Sequence, residues 1–305
     1  MMTERTGLTK YSLGFPAMIF AALMLATSDF RSLQNFANLG GQLCAPIVAA
    51  LGQLFVVLVG GIDLSIGSVV SLAGSIMATQ SDPITGMLLV LVLGVAVGLV
   101  NGAGIAYTGV HPLVMTLSTG TFLQGLAYVI LPIPGGTIAP SLVDLASGAF
   151  LGVPKPVMWA AGSTAAVWFI LQRTSFGIHV YAIGAQPHSA YLNGVPVKRT
   201  LIGAYVASAL LGALAGVLLS ARIATGDPTM GASFALESVA AVALGGVALT
   251  GGVGSVAGVI AGSVGLGLLA NGINLLGISP FMRGAITGLL LLIAVSMQRR
   301  KTLGL

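Results

Sequence analysis

The chain has 305 residues, of which 56% are hydrophobic and only 6% charged, and its net charge is +5; its mean hydropathy is +1.03. Soluble domains are about a quarter charged, so this composition excludes one and requires a lipid bilayer. Cys44 is the single cysteine, which excludes a disulfide framework, and the basic residues sit at the ends of apolar runs, as membrane orientation demands and nucleic-acid binding does not.

A bilayer-spanning helix needs about 20 mostly apolar residues. On that ruler the sequence predicts an all-α polytopic bundle, one transmembrane domain over 1–305, with about ten spans. They fall near 12–28, 40–59, 64–80, 84–107, 112–131, 157–172, 200–222, 236–249, 254–276 and 282–298. The first has the basic front of a leader, but no small-x-small cleavage site follows it, so it reads as a retained span. With both termini inside, the cytoplasmic segments collect Arg5, Lys10, Arg173, Lys198, Arg199, Arg299, Arg300 and Lys301. The other side receives Arg31, Lys155, Arg222 and Arg283, and eight basic residues against four is the bias expected of a membrane protein with these segments inside.

Taken in order, the first break comes at GGIDLSIG, residues 60–67. Gly60 and Gly61 permit a tight interruption of the helix. Asp63 follows as an acid on the membrane's inner half. It could cap the next helix by accepting from the amides of Ser65 and Ile66, hold a proton or cation, or line a solute path. The stretch GGVALTGG at 245–252 repeats the pattern GGxxL(S/T)xG and is expected at the same membrane face. Small residues recur every four positions at Gly94, Gly98 and Gly102, at Ser208, Gly212, Gly216 and Ser220, and at Gly254, Gly258 and Gly262. Such rows let helix backbones approach closely; lining a solute path is the other use open to them.

The long outer loop from Pro132 to Pro156 carries an amphipathic middle, SLVDLASGAF, suited to a short helix on the surface. Its role is either to receive a partner or to cover the bundle. The segment from Arg173 to Thr200 is a polar island with Arg173, Lys198 and Arg199 and no acid, hence cytoplasmic. Pro187 suits a first helical position and Gly194 the left-handed residue past a helix end. The helix between them would be roughly 10 Å long at 1.5 Å per residue. Helices so short are marginal alone in water, so Ala190, Tyr191 and Leu192 imply a partner protein that holds it.

Polar side chains within spans include Gln53, Asn101, Ser118, Thr121, Gln124, Asn271 and Asn274. Amides and hydroxyls suit a neutral polyol in a solute path, or else interhelical hydrogen bonds. Glu237, near an outer span end, reads as solvated or as a helix-start acid. No GxxxxGK(S/T) stretch is present, so the chain has no phosphate-cradling loop of that kind. No Ser, His and Asp arrangement suggests an enzyme.

Three stretches carry a resemblance: GGIDLSIGSVVSLAG (60–74), TSFGIHVYAIGAQPHSAYLNGVPVKRT (174–200) and AAVALGGVALTGGVGSVAGVIAGSVGLGLLANGINLLGIS (240–279). They resemble permease subunits of bacterial ABC importers, in the branched-chain amino acid/monosaccharide superfamily and its ribose, xylose, arabinose and galactofuranose branch. The resemblance implies a type II-like importer permease, paired with a second copy or a homologue. It also implies a cytoplasmic ATPase with two nucleotide-binding halves that binds ATP and Mg, and a periplasmic solute-binding protein. The segment Gly184–Gly194 would be the coupling helix. Gly184, Gln186, Ser189, Ala190, Gly194 and Val195 stand where the family pattern is close to GxNxxAAxxxGI, so Gln186, Ser189 and Val195 depart from it. The expected cargo is a pentose or hexofuranose, with nucleosides, autoinducer-type sugars or branched-chain amino acids as same-role alternatives. An ion-coupled carrier using Asp63 is the alternative of another class.

Overall fold

The computed structural model describes residues 2–279 and 281–297; Arg299, Arg300 and Lys301 of the expected cytoplasmic set lie outside them. The chain is almost entirely helical. In order come α1 (Met2–Ala26), a single 3-10 turn (Asp29–Arg31), α2 (Leu33–Leu58), α3 (Ile66–Thr79), α4 (Pro83–Thr108) and α5 (Pro112–Ile130). Then follow α6 (Pro140–Ser147), α7 (Lys155–Arg173), α8 (Ser175–Ala185), α9 (Pro187–Leu192), α10 (Val197–Ile223), α11 (Phe234–Leu244), α12 (Val256–Leu275) and α13 (Phe281–Met297). Five of these, α2, α4, α5, α10 and α12, are long and apolar enough to cross a membrane by length and composition. The spans expected at 64–80 and 236–249 are the shorter α3 and α11. At 1.5 Å per residue α11 covers only about 16 Å, because the glycines from 245 onward end it well short of a bilayer's thickness.

Helix boundaries follow local chemistry. Asp82 accepts from the amides of Ile84 and Thr85 in front of Pro83, and Ser32, Thr174 and Ser255 accept from the amides three residues on. The loop from Pro132 to Pro156 does hold the short helix that its pattern suggests. α6 is followed by a two-residue hairpin pairing Ala149 with Pro154 and Phe150 with Val153. An Asp144–Lys155 ion pair ties α6 to the start of α7.

The core is organised on α10 and α2. α2 is buried almost continuously from Cys44 to Val59, and α10 packs against α2, α3 and α4. The glycine rows explain how close these helices come. A Cβ on Gly98 would lie 2.3 Å from Val206 Cα, one on Gly102 2.6 Å from Ile202 Cα, and one on Gly94 3.1 Å from Leu210 Cα. α4 therefore meshes with α10 backbone to backbone, the packing that small-residue rows permit. Gly216 meets Val70 of α3, while Gly258 and Gly262 meet Gly245 and Ala241, so each row is a helix–helix seam.

The expected effect of Gly98→Ala is overpacking that costs about 1–3 kcal/mol, read as a lower unfolding temperature in detergent. Gly284→Ala, where nothing lies within 4 Å, should leave that temperature unchanged.

Candidate functional site

The segment from Arg173 to Thr200 is more ordered than a polar loop would be. α8 occupies Ser175–Ala185, with Val180, Ile183 and Gly184 buried in the core around α2. The reading of this stretch as a loop with one short helix is corrected on that point, since its apolar residues recur at helical spacing. The short helix itself falls where expected. Pro187 opens α9, Gln186 precedes it in extended conformation, and Gly194 has φ +78°. Gly194 N–H donates to Tyr191 O and Val195 N–H to Ala190 O, both at 3.0 Å, the paired bonds of a left-handed helix stop. Ser189 O accepts from the Asn193 amide group at 2.8 Å. Ala190 is buried against the bundle, whereas Tyr191 and Leu192 are 68% and 69% exposed.

Gly184 joins this segment to both helix breaks. A Cβ there would lie 1.8 Å from Leu58 O and 2.3 Å from Gly252 N. Gly252 N–H itself donates to Leu58 O at 2.9 Å. The two GGxxL(S/T)xG stretches thus touch each other, with Gly60 (φ +85°) beside Gly251 (φ +89°). Tyr181 of α8 adds a hydrogen bond to Gly254 O at 3.0 Å.

Beyond the first break lies a polar node. Asp63 is fully buried, and its Oδ1 accepts from Ser65 N (2.9 Å) and Ser65 Oγ (2.6 Å) while Oδ2 accepts from Ser208 Oγ (2.8 Å). Asn101 Nδ2 donates to Ser65 Oγ at 2.9 Å. The Gln53 amide pairs with the Asp63 main chain, donating to its O at 3.0 Å and accepting from its N at 3.1 Å. Thr116 Oγ1 accepts from Leu64 N and donates to Ile62 O. Asp63 thus caps the Ser65 amide but makes no bond to Ile66, and it binds α3 to α10 as well. The Tyr205 hydroxyl stands where a Gly61 side chain would, 2.4 Å from its Cβ position; Tyr205 OH and Asn101 Oδ1 have no hydrogen-bond partner among the described residues.

Most of the residues considered for a solute path do not share a cavity. Gln53 and Asn101 belong to the node. Asn271 pairs with Asn35 through two amide hydrogen bonds of 2.8 and 3.3 Å. Gln124 donates to Pro228 O at 2.7 Å and Ser118 to Val114 O in its own helix. Asn274 alone lines a cavity of about 320 Å³ between α2, α10, α11, α12 and α13.

That cavity lies at the end of α10 remote from α9; Arg222, in its wall, is about 37 Å from Val197 along the helix at 1.5 Å per residue. Gln42, Ser233, Ser238, Ser263, Glu237 and Arg283 also line it. The reading of Glu237 as solvated is corrected here. It is mostly buried and accepts from Arg283 Nη2 at 2.9 Å, an ion pair joining α11 to α13. Its place in the first turn of α11 does match the helix-start expectation. Sequence reasoning missed this cavity because its polar residues come from five separate helices.

Comparison with known proteins gives a consistent picture. Residues 35–295 match the family model described as branched-chain amino acid transport system / permease component. The chain is 35% identical over 297 residues to the ribose import permease of Bacillus subtilis, covering 95% of this chain and 92% of that one. It is 37% identical over 294 residues to the L-arabinose transport system permease of Escherichia coli K12, with 93% and 88% covered. The D-allose transport system permease of the same organism is 29% identical over 300 residues, with 95% and 91% covered. No solved structure matches the chain.

Ser208→Ala should leave one Asp63 oxygen without its donor and cost about 1–3 kcal/mol, measured as thermal stability in detergent. Ser118→Ala, on an exposed hydroxyl bonded within its own turn, should cost nothing measurable.

Proposed function

The chain belongs to the permease-component family of branched-chain amino acid transport systems, and from that premise we propose that it carries a monosaccharide, a pentose or hexofuranose, through an ATP-driven importer. It is a multi-pass membrane subunit of a transporter, not an enzyme. ATP and Mg belong to a partner ATPase with two nucleotide-binding halves on the cytoplasmic side, and a periplasmic solute-binding protein delivers the sugar. A second copy of this chain or a homologue completes the pathway. The α9 face is cytoplasmic in this reading, and the cavity beside Glu237 faces the periplasm.

The observation that carries the reading is α9 itself. Six residues cannot hold a helix in water by themselves, yet this one is capped at Gly194, anchored by Ala190, and presents Tyr191 and Leu192 outward. An apolar helix face set into a groove is a common recognition mode, and a groove on the ATPase is the occupant that the family relationship suggests. Gln186, Pro187 and Ser189 set the entry to that helix. Motion of α9 reaches the breaks through Gly184, and alternating access follows as the helices joined there tilt together. Asp63 serves in this reading as a brace: both its oxygens are engaged by hydroxyls and an amide, so no ion coupling is assigned to it.

Replacing Tyr191 and Leu192 together by Asp should strip the co-purifying ATPase from the membrane subunit and lower sugar uptake roughly tenfold or more. Unchanged association would count decisively against this role for α9. Asp63→Asn should keep ATP-driven uptake of whichever of D-ribose, L-arabinose or D-allose the assembled importer accepts. Uptake by this chain alone, powered by an ion gradient, would overturn the reading.

A further inference from the structure

We propose that the cavity bounded by α2, α10, α11, α12 and α13 is a subsite for one monosaccharide ring. The inference rests on the sugar-import reading and adds where, in this subunit, the cargo is held. Its volume, about 320 Å³, stands at the lower end of small-ligand cavities, which run from about 300 to 1,000 Å³. That suits a single ring and leaves little room for a nucleotide or an oligosaccharide.

Two unspent polar groups point to a ligand. Ser263 is 2% exposed, lines the cavity, and its hydroxyl has no hydrogen-bond partner among the described residues. A helical serine ordinarily returns its hydroxyl to a carbonyl one turn back; this one does not, and a buried hydroxyl without a partner is costly. Arg222, half-buried in the same wall, makes no hydrogen bond or ion pair among the described residues. The missing side chain of Gly41 leaves room for it, the Arg222 Nε lying 3.1 Å from where that Cβ would be. A guanidinium offers several donors in a fixed fork, a match for the oxygens of two adjacent hydroxyls. Phe234 supplies an apolar wall for the ring's C–H face, and the amide of Asn274 can both donate and accept.

The charges narrow the class. Glu237 stands in the wall and is neutralised by Arg283, which leaves Arg222, among the described residues of that wall, as the cation without an ion pair. With Glu237 paired, the wall keeps one net positive charge, which disfavours a cationic solute. A polyol, whose hydroxyls donate as well as accept, satisfies Ser263 and Arg222 together.

The test uses the complete importer, with its ATPase and binding protein, reconstituted in vesicles. In a Cys44→Ala background, Ser263→Cys is treated from the binding-protein side with a small charged methanethiosulfonate. The transported sugar should slow modification several-fold, and an equal concentration of a sugar that the importer does not take up should not. A second variant, Arg222→Gln, should raise the sugar concentration needed for half-maximal uptake about tenfold, with the ATPase still co-purifying. Modification that ignores the transported sugar, or uptake by Arg222→Gln at the native sugar dependence, overturns the subsite while leaving sugar import standing. An unmodified importer that takes up none of the three sugars overturns both.

Discussion

The architecture depends on a contact in which no side chain can take part. At Gly184 three stretches of backbone converge: the end of α8, the carbonyl of Leu58 at the end of α2, and the Gly251–Gly252 turn after α11. A methyl group at 184 would overlap the Leu58 oxygen. Gly251 and Gly252 hold positive φ, and Gly252 donates the hydrogen bond that closes the junction. Glycine is required there for two separate reasons, space and backbone conformation. A contact made of rigid backbone transmits displacement without the slack that rotating side chains allow.

α10 extends that linkage through the molecule. Four residues separate it from α9, and its early turns mesh with Gly98 and Gly102 of α4. Ser208, near its middle, holds one oxygen of Asp63 and so binds α10 to the start of α3. Arg222, in its last turn, reaches the cavity. Lipid offers helices no hydrophobic drive to associate, so these seams are held by close packing and a few buried hydrogen bonds. Close-packed interiors shift between discrete arrangements and do not deform continuously. The α9 end and the cavity end are therefore linked by one helix whose neighbours are fixed at several depths.

What the sequence revealed divides by range. Pro187 and Gly194 announced α9 correctly because a proline start and a left-handed stop are properties of a few adjacent residues. The glycine rows were legible in part: a four-residue repeat of small side chains serves close packing or lines a path, and the backbones found against Gly98, Gly216 and Gly262 decide for packing. α8 escaped notice because the basic residues flanking it drew the whole stretch into a polar segment, although Val180 and Ile183 carry its buried face. Partners distant in sequence were out of reach. Asn271 looked available to a solute until Asn35, 236 positions earlier, took both its amide groups. Glu237 looked solvated until Arg283 was found beside it. Residue type gives the valence of a polar group, and only the fold shows where that valence is spent.

That distinction separates the two polar regions of the bundle. Around Asp63 the carboxylate itself is saturated: both oxygens accept, the donors come from α10 and the break itself, and Gln53 closes the main chain, although Tyr205 OH and Asn101 Oδ1 beside it have no partner among the described residues. Such a set fixes geometry, since moving any member leaves a buried group unpaired at considerable cost. In the cavity the reverse holds. Ser263 and Arg222 keep unspent hydrogen-bonding capacity, and the one acid present is occupied by a neighbouring guanidinium. Saturated polar groups brace helices against one another, whereas unsaturated ones keep donors free for something that arrives and leaves. A permease needs both, and here they lie at different depths along α10, so that the helix carrying the brace also carries the cavity's free guanidinium.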